Sequence, residues 1–179
     1  MEQVEAKIAK LAPVTLVEVT GGEPMLQEKE LVPLMEWLVG QDYTVLLETS
    51  GERPLGGVPK AVHKIVDVKC PGSGEGGTFA EGNLEALGTK DEVKFVLADR
   101  ADYEFARDFT RKHGLEAKVA AVLFSPAFRK DAGPARDAAN CLLDPRQLVE
   151  WMLEDGLGSN VRLGLQLHKF VWEPMTKGV

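Results

Sequence analysis

Six short runs rich in β-branched and other apolar residues recur along this chain, with helix-period segments between them. That alternation limits the fold more than any other feature of the sequence. The runs cover residues 14–19, 43–47, 64–68, 93–97, 119–124 and 161–165, and each reads as a strand. Between the first two, Leu31, Leu34, Met35 and Leu38 fall at helical spacing, with Gly40 placed to end that helix. Asp99 opens a second helix, with Asp102 three residues on and Gly114 at its end, and its buried face is expected to hold Tyr103, Ala106 and Phe109. The pair Asp144 and Pro145 caps a third, which runs through Trp151 and stops near Gly156, and Val4, Ile8 and Leu11 suggest a leading helix. Strands separated by helices pair in parallel through right-handed crossovers, so the expected class is α/β, an open sheet or part of a β/α barrel. In such folds the functional face lies at the carboxyl ends of the strands.

Those ends carry polar chemistry. The first strand runs into Thr20, Gly21, Gly22, Glu23 and Pro24. Two adjacent glycines let backbone groups approach a ligand, and the following carboxylate has the chemistry to hold a cation such as an ammonium group. Read alone, the same residues make a tight strand-to-helix turn. The second strand ends in Glu48, Thr49, Ser50 and Gly51, and the third in Asp67, Val68, Lys69, Cys70 and Pro71 before a glycine-rich segment over residues 72–77. Asp67 and Lys69, two apart, share one side of a strand and suit either a structural ion pair or a ligand-binding pair. The fifth strand leads into Ser125, Pro126, Ala127 and Phe128, and even spacing sets Arg162, Gln166 and His168 on one face of an extended sixth segment. Polar groups at nearly every strand end suggest a pocket over the mouth of the sheet, with Glu23, Glu48, Lys69, Ser125 and His168 around one concavity.

Composition narrows the partners. With 28 acidic and 21 basic residues the net charge is −7, which opposes a broad nucleic-acid surface. No apolar run approaches the ~20 residues of a membrane span, and two cysteines, Cys70 and Cys141, do not make a disulfide framework, so a reduced, cytoplasmic chain is expected. At 179 residues the expectation is one domain over 1–179.

Taken in order, these segments resemble the radical S-adenosylmethionine (SAM) superfamily, most closely the 7-carboxy-7-deazaguanine synthase family of queuosine and deazapurine biosynthesis. Thr20 to Pro24 resembles the superfamily's Gly-Gly-Glu-Pro motif; the strand end from Glu48 to Gly51, the segment from Asp67 to Gly74 and the stretch from Leu165 to Phe170 resemble motifs of the synthase. The resemblance implies a partial parallel barrel of about six strands. It also implies SAM contacts from Gly21, Gly22, Glu23, Asp67, Val68, Lys69, Ser125, Pro126, Ala127 and Phe128. Contacts to a pterin substrate, 6-carboxy-5,6,7,8-tetrahydropterin, are implied for Thr20, Glu48, Arg162, Gln166 and His168.

The same resemblance implies a four-iron, four-sulfur (4Fe-4S) cluster, magnesium, an electron donor such as flavodoxin or ferredoxin, and a homodimer. The family holds its cluster with three closely spaced cysteines ahead of the Gly-Gly motif, and no cysteine stands there in this chain. The cluster ligands and the magnesium-binding threonine are therefore expected upstream of Met1, in a segment lost from the chain as given, which leaves the isolated chain inactive and its first strand an exposed edge. Family members end near the position of Pro174 and use the terminal carboxylate as a ligand, whereas this chain continues through Val179. Two other readings stand beside this one: a glycyl-radical activating enzyme of the same superfamily, and a non-catalytic module that binds SAM or a nucleobase.

Overall fold

The computed structural model describes residues 2–129 and 138–172. In chain order it contains α1 (Glu2–Ala9), β1 (Leu16–Val19), α2 (Glu28–Gly40), β2 (Thr44–Thr49), β3 (His63–Asp67), α3 (Asn83–Ala86), β4 (Glu92–Leu97), α4 (Arg100–Lys112), α5 (Leu115–Lys118), β5 (Ala121–Pro126), α6 (Pro145–Glu154), β6 (Val161–Leu163) and α7 (His168–Val171). The strands form one parallel sheet whose spatial order follows the chain, β1 through β6, and the sheet is not closed. Constant progression in one direction distinguishes a barrel-type winding from a doubly wound sheet, whose strand order reverses. Right-handed crossovers made always in the same direction leave their helices on one face.

The burial pattern follows from that topology. Val45, Leu47, Val66, Phe95, Val122 and Phe124 point into the helical layer and are buried together with Met35, Leu38, Tyr103 and Leu148. On the opposite, uncovered face the same strands set charged among apolar residues: Glu48 follows Leu46 on β2, Asp67 follows Ile65 on β3, and Lys94 lies between Glu92 and Val96 on β4. Alternation of apolar with charged residues is what a parallel strand buried on one face only requires. At the far end of the barrel a buried pair, Lys64 and Asp91 at 3.1 Å, pins the start of β3 to the loop before β4; Asp91 also accepts from the backbone amides of Lys64 and Gly88.

Several boundaries differ from the sequence reading. β1 begins at Leu16, and as the edge strand it leaves Val14 and Leu16 more than half exposed. β6 ends at Leu163, so Gln166 and His168 do not lie on an extended segment with Arg162. Gly164 packs so tightly against β5 that a Cβ there would lie 2.5 Å from Ser125 Oγ; the chain then turns, and His168 opens α7. Gly40 is the last helical residue of α2, and the left-handed position beyond that helix belongs to Asp42 (φ 63°). Gly114 and Gly156 do take left-handed conformations after α4 and α6. Phe109 is half-buried between Phe79 and Phe95.

The segment after β3 is tied down by Asn83, whose side chain donates to the carbonyls of Gly51 and Arg53 and accepts from the Leu55 amide. The stretch from Phe128 towards α6 folds back through an antiparallel bridge between Phe128 and Cys141, with residues 130–137 outside the described part. The tail beyond Pro174 also lies outside the described residues.

Candidate active site

The uncovered face of the sheet and the loops at its carboxyl end enclose a cavity of about 920 Å³, joined to a recess of about 580 Å³. Thr20, Gly21, Glu48, Asp67 and Lys69 line both. The recess adds Gly22 and Glu23, and the main cavity adds Val68, Ala127, Phe128, Gln166 and His168. Three of the expected residues do not line the space. Ser125 and Pro126 are buried in the wall behind it, and Arg162 is exposed on the edge strand β6. Of the five residues expected around one concavity, Glu23, Glu48, Lys69 and His168 reach it and Ser125 does not.

The turn after β1 shows how the sequence builds the recess. Gly21 and Gly22 have φ of 95° and 57°, a region that disfavours side chains, and a Cβ at either would meet nothing within 4 Å. The glycines therefore serve backbone conformation, and the space above them stays open. Glu23 closes the turn from below. Its Oε1 accepts from the Met25 amide (2.9 Å) and Thr49 Oγ1 (2.7 Å), and its Oε2 accepts from the Ser50 amide (2.8 Å) and hydroxyl (2.7 Å). Four donors occupy the four acceptor positions of a carboxylate. Glu23 thus fastens the β1 and β2 exits to each other while it lines the recess. Burial pushes the Glu23 carboxyl up, and the hydrogen bonds from Ser50, Thr49 and Met25 outweigh it and hold it below the usual carboxylate range.

At the end of β3 Asp67 and Lys69 form the expected ion pair. Lys69 Nζ donates to Asp67 Oδ2 at 3.0 Å, and both residues line the cavity. Burial lowers the Lys69 ammonium pKa, but Asp67 outweighs it and keeps the group charged. Asp67 Oδ1 is buried and has no hydrogen-bond partner among the described residues. A buried carboxylate oxygen left in this condition is costly, and a ligand hydroxyl or amine would satisfy it. Lys94 is the register neighbour of Asp67, yet it reaches past β3 to Glu48 Oε1 at 2.6 Å.

His168 lies across the cavity from these groups. Burial, with the nearby charges of Lys169 and Lys94, lowers its pKa and favours the neutral imidazole. Gln166 Nε2 contacts the Pro126 carbonyl at 3.5 Å, and Phe128 packs edge-on against Phe170 at 5.3 Å, so the β5 exit and the α7 turn are held together.

Glu18, Lys94 and Asp102 are among the residues of its walls that sequence reasoning did not place in the site. The signal for the first two was the period-two appearance of charge in otherwise apolar strands. Asp102 reads as a helix-start residue, and its amide does donate to the Asp99 cap. Its carboxylate, however, accepts from the amides of Gly72 (2.8 Å) and Ala98 (3.0 Å), which fixes the loop after β3 over the start of α4.

Comparison with known proteins agrees with this geometry. No family model matches the chain. The 7-carboxy-7-deazaguanine synthase of Koribacter versatilis is 66% identical over 178 residues, which cover 99% of this chain and 78% of that protein. The chain belongs to the 7-carboxy-7-deazaguanine synthase family. A relative of the same name from Chlorobaculum tepidum is 41% identical over 170 residues, 91% of this chain and 68% of its own length. The crystal structure of QueE from Escherichia coli shares the fold, with a TM-score of 0.65 at 20% identity over 92% of this chain and 63% of its own.

The open glycine turn and the unsatisfied Asp67 oxygen fit the donor-rich SAM molecule. The cluster does not fit: the chain holds two cysteines, both buried and 71 positions apart in sequence, too few to ligate it. Among the described residues no group of three His, Cys, Asp or Glu side chains is arranged to hold a metal ion.

Proposed function

We propose that this chain carries the SAM and substrate sites of an enzyme that converts 6-carboxy-5,6,7,8-tetrahydropterin to 7-carboxy-7-deazaguanine with release of ammonia. The observation that carries the reading is the convergence of all four motif segments on one cavity at the carboxyl ends of the strands. Gly21, Gly22, Asp67, Val68, Lys69, Ala127 and Phe128 hold SAM, and Thr20, Glu48, Gln166 and His168 hold the pterin. Glu23 shapes the turn from behind; Ser125 and Pro126 support the wall, and Arg162 receives no role in the cavity. SAM, when bound, supplies the hydrogen-abstracting chemistry. The chain's own residues orient the pterin against it and exclude water, which matters because any misplaced reactive carbon attacks its nearest neighbour.

Two buried cysteines are too few to ligate a 4Fe-4S cluster, so on this reading these 179 residues alone do not turn over. With a cluster-bearing segment, the reading implies an electron donor of the flavodoxin or ferredoxin type. The relatives' shared name supports the synthase over a glycyl-radical activating enzyme.

The test joins the chain to the part of the Koribacter versatilis relative that lies outside the match, about a fifth of that protein. After anaerobic reconstitution with iron and sulfide, the joined protein is given SAM, magnesium, a reductant and the pterin. Mass spectrometry should detect 7-carboxy-7-deazaguanine from the joined protein and none from the chain alone. A cluster-loaded joined protein that makes no product would reject the reading and favour the non-catalytic module.

A further inference from the structure

The orientation of Glu48 is fixed at the cavity by a cation from two strands away. Lys94 on β4 spans β3 to reach Glu48 Oε1 at 2.6 Å, although Asp67 is its register neighbour and presents an unpartnered oxygen. Both partners are largely withdrawn from water, with side chains 18% and 29% exposed. From the other side, Glu18 on β1 faces the same cavity, its carboxyl within hydrogen-bonding reach of Glu48. The three form a row across the sheet, and none of them serves the apolar core. A carboxylate held by one oxygen on a cation and flanked by a carboxyl on the other side presents a fixed acceptor edge to the cavity.

We propose that Lys94 and Glu18 are positioning residues that set the Glu48 carboxylate to accept from the amino and ring N–H groups of the pterin's aminopyrimidinone edge. The inference rests on the pterin reading of this cavity. A planar edge with two parallel N–H donors matches a carboxylate only when the carboxylate plane is fixed. Lys94 supplies that constraint, and it limits the net charge at the substrate end to what the row can carry.

The proton on Glu18 belongs to the same arrangement. Burial and the neighbouring Glu48 raise its pKa, Lys94 opposing, so its carboxyl keeps a proton to share with Glu48 to higher pH than an exposed glutamate would. The other charged or titratable groups around this face, among the described residues, are Asp67 on β3, Lys69, Cys70 and Asp102 beyond its end, Arg162 on β6, His168 and Lys169 on α7, and His63 and Glu92 lower in the sheet. All of them remain in a Glu18→Gln variant, so the difference between that variant and the parent isolates Glu18.

The experiment titrates the purified chain and its variants with 6-carboxypterin, the fluorescent oxidised form of the substrate, from pH 5 to 8, with circular dichroism as the control for folding. Lys94→Met should weaken binding about tenfold, and Lys94→Arg, which keeps the cation, should hold within about threefold. Glu18→Ala should weaken binding, whereas Glu18→Gln, whose amide still donates to Glu48, should bind like the parent and lose the pH dependence attached to Glu18. Folded Lys94→Met and Glu18→Ala variants that bind like the parent, while Glu48→Gln binds weakly, would overturn the positioning role and leave the pterin reading standing. A parent chain that does not bind, or Glu48→Gln binding as tightly as the parent, would remove the pterin reading and this inference with it.

Discussion

Glu23 Oε2 accepts both the backbone amide and the hydroxyl of Ser50, at 2.8 and 2.7 Å, although 27 residues separate the two in sequence. The exits of β1 and β2 are thereby locked as one unit, and the glycine turn they support keeps its shape without a ligand. Glu23→Ala would leave the Thr49 hydroxyl and the Ser50 amide short of an acceptor. Because the site is half open to water, the expected cost is about 1–2 kcal/mol, read by urea unfolding.

The same carboxylate sets a pH signature. Its folded pKa lies below the ordinary 4.5, so its contribution is complete above 4.5 and is lost as pH falls through the lower, folded value. Unfolding measured between pH 7 and pH 3 should show the stability advantage over Glu23→Gln shrinking below about pH 4.5. An advantage that persists unchanged at pH 3 would contradict the hydrogen-bond account of Glu23.

Gly51 and Gly21 should behave differently on substitution. Both have positive φ, but a Cβ on Gly51 would lie 2.7 Å from Val66 Cγ1 and 2.8 Å from Phe79, while one on Gly21 meets open space. Gly51→Ala combines backbone strain with overpacking and should cost about 2–4 kcal/mol; Gly21→Ala carries the strain alone, about 1–2 kcal/mol. Thermal unfolding of the two variants checks the order.

Asp91→Ala would strand the Lys64 ammonium, whose side chain is 6% exposed. The expected loss is about 3–5 kcal/mol, and the double variant Lys64→Met with Asp91→Ala should recover part of it. Chemical denaturation of the three proteins reads both values.

Asp102→Ala should release the loop after β3 without unfolding the sheet. The Gly72 amide, which donates to Asp102 Oδ1, would exchange its hydrogen faster, while amides within β4 keep their protection. Equal protection of Gly72 in the variant and the parent would remove the clamp role.

The strands were legible in the sequence because β-branched residues in short runs leave few alternatives, and the strand ends were legible because glycines and charges gather there. The residues that only the fold reveals depend on strand order. Lys94 reads as an ordinary half-exposed strand lysine until β3 is known to lie between it and Glu48. Arg162 sits in register with Leu123 on a three-residue edge strand, which leaves it exposed. Gln166 and His168 reach the cavity by a turn that period-two spacing does not encode, because Gly164 must pack against Ser125 before the chain can bend into α7. The fastening role of Glu23 is likewise hidden in the sequence, because its four donors come from two different strand exits.

SAM is expected to bind in the cavity beside the glycine turn and the end of β3. A two-dimensional amide NMR titration of the chain with SAM tests it most directly, since it detects weak binding without turnover. Saturable shifts are expected for Gly21, Gly22, Asp67, Val68, Lys69 and Phe128, and Asp67→Asn should abolish or strongly weaken them. Saturable shifts confined to other surfaces, or no saturable shifts in the unsubstituted chain, would contradict the account.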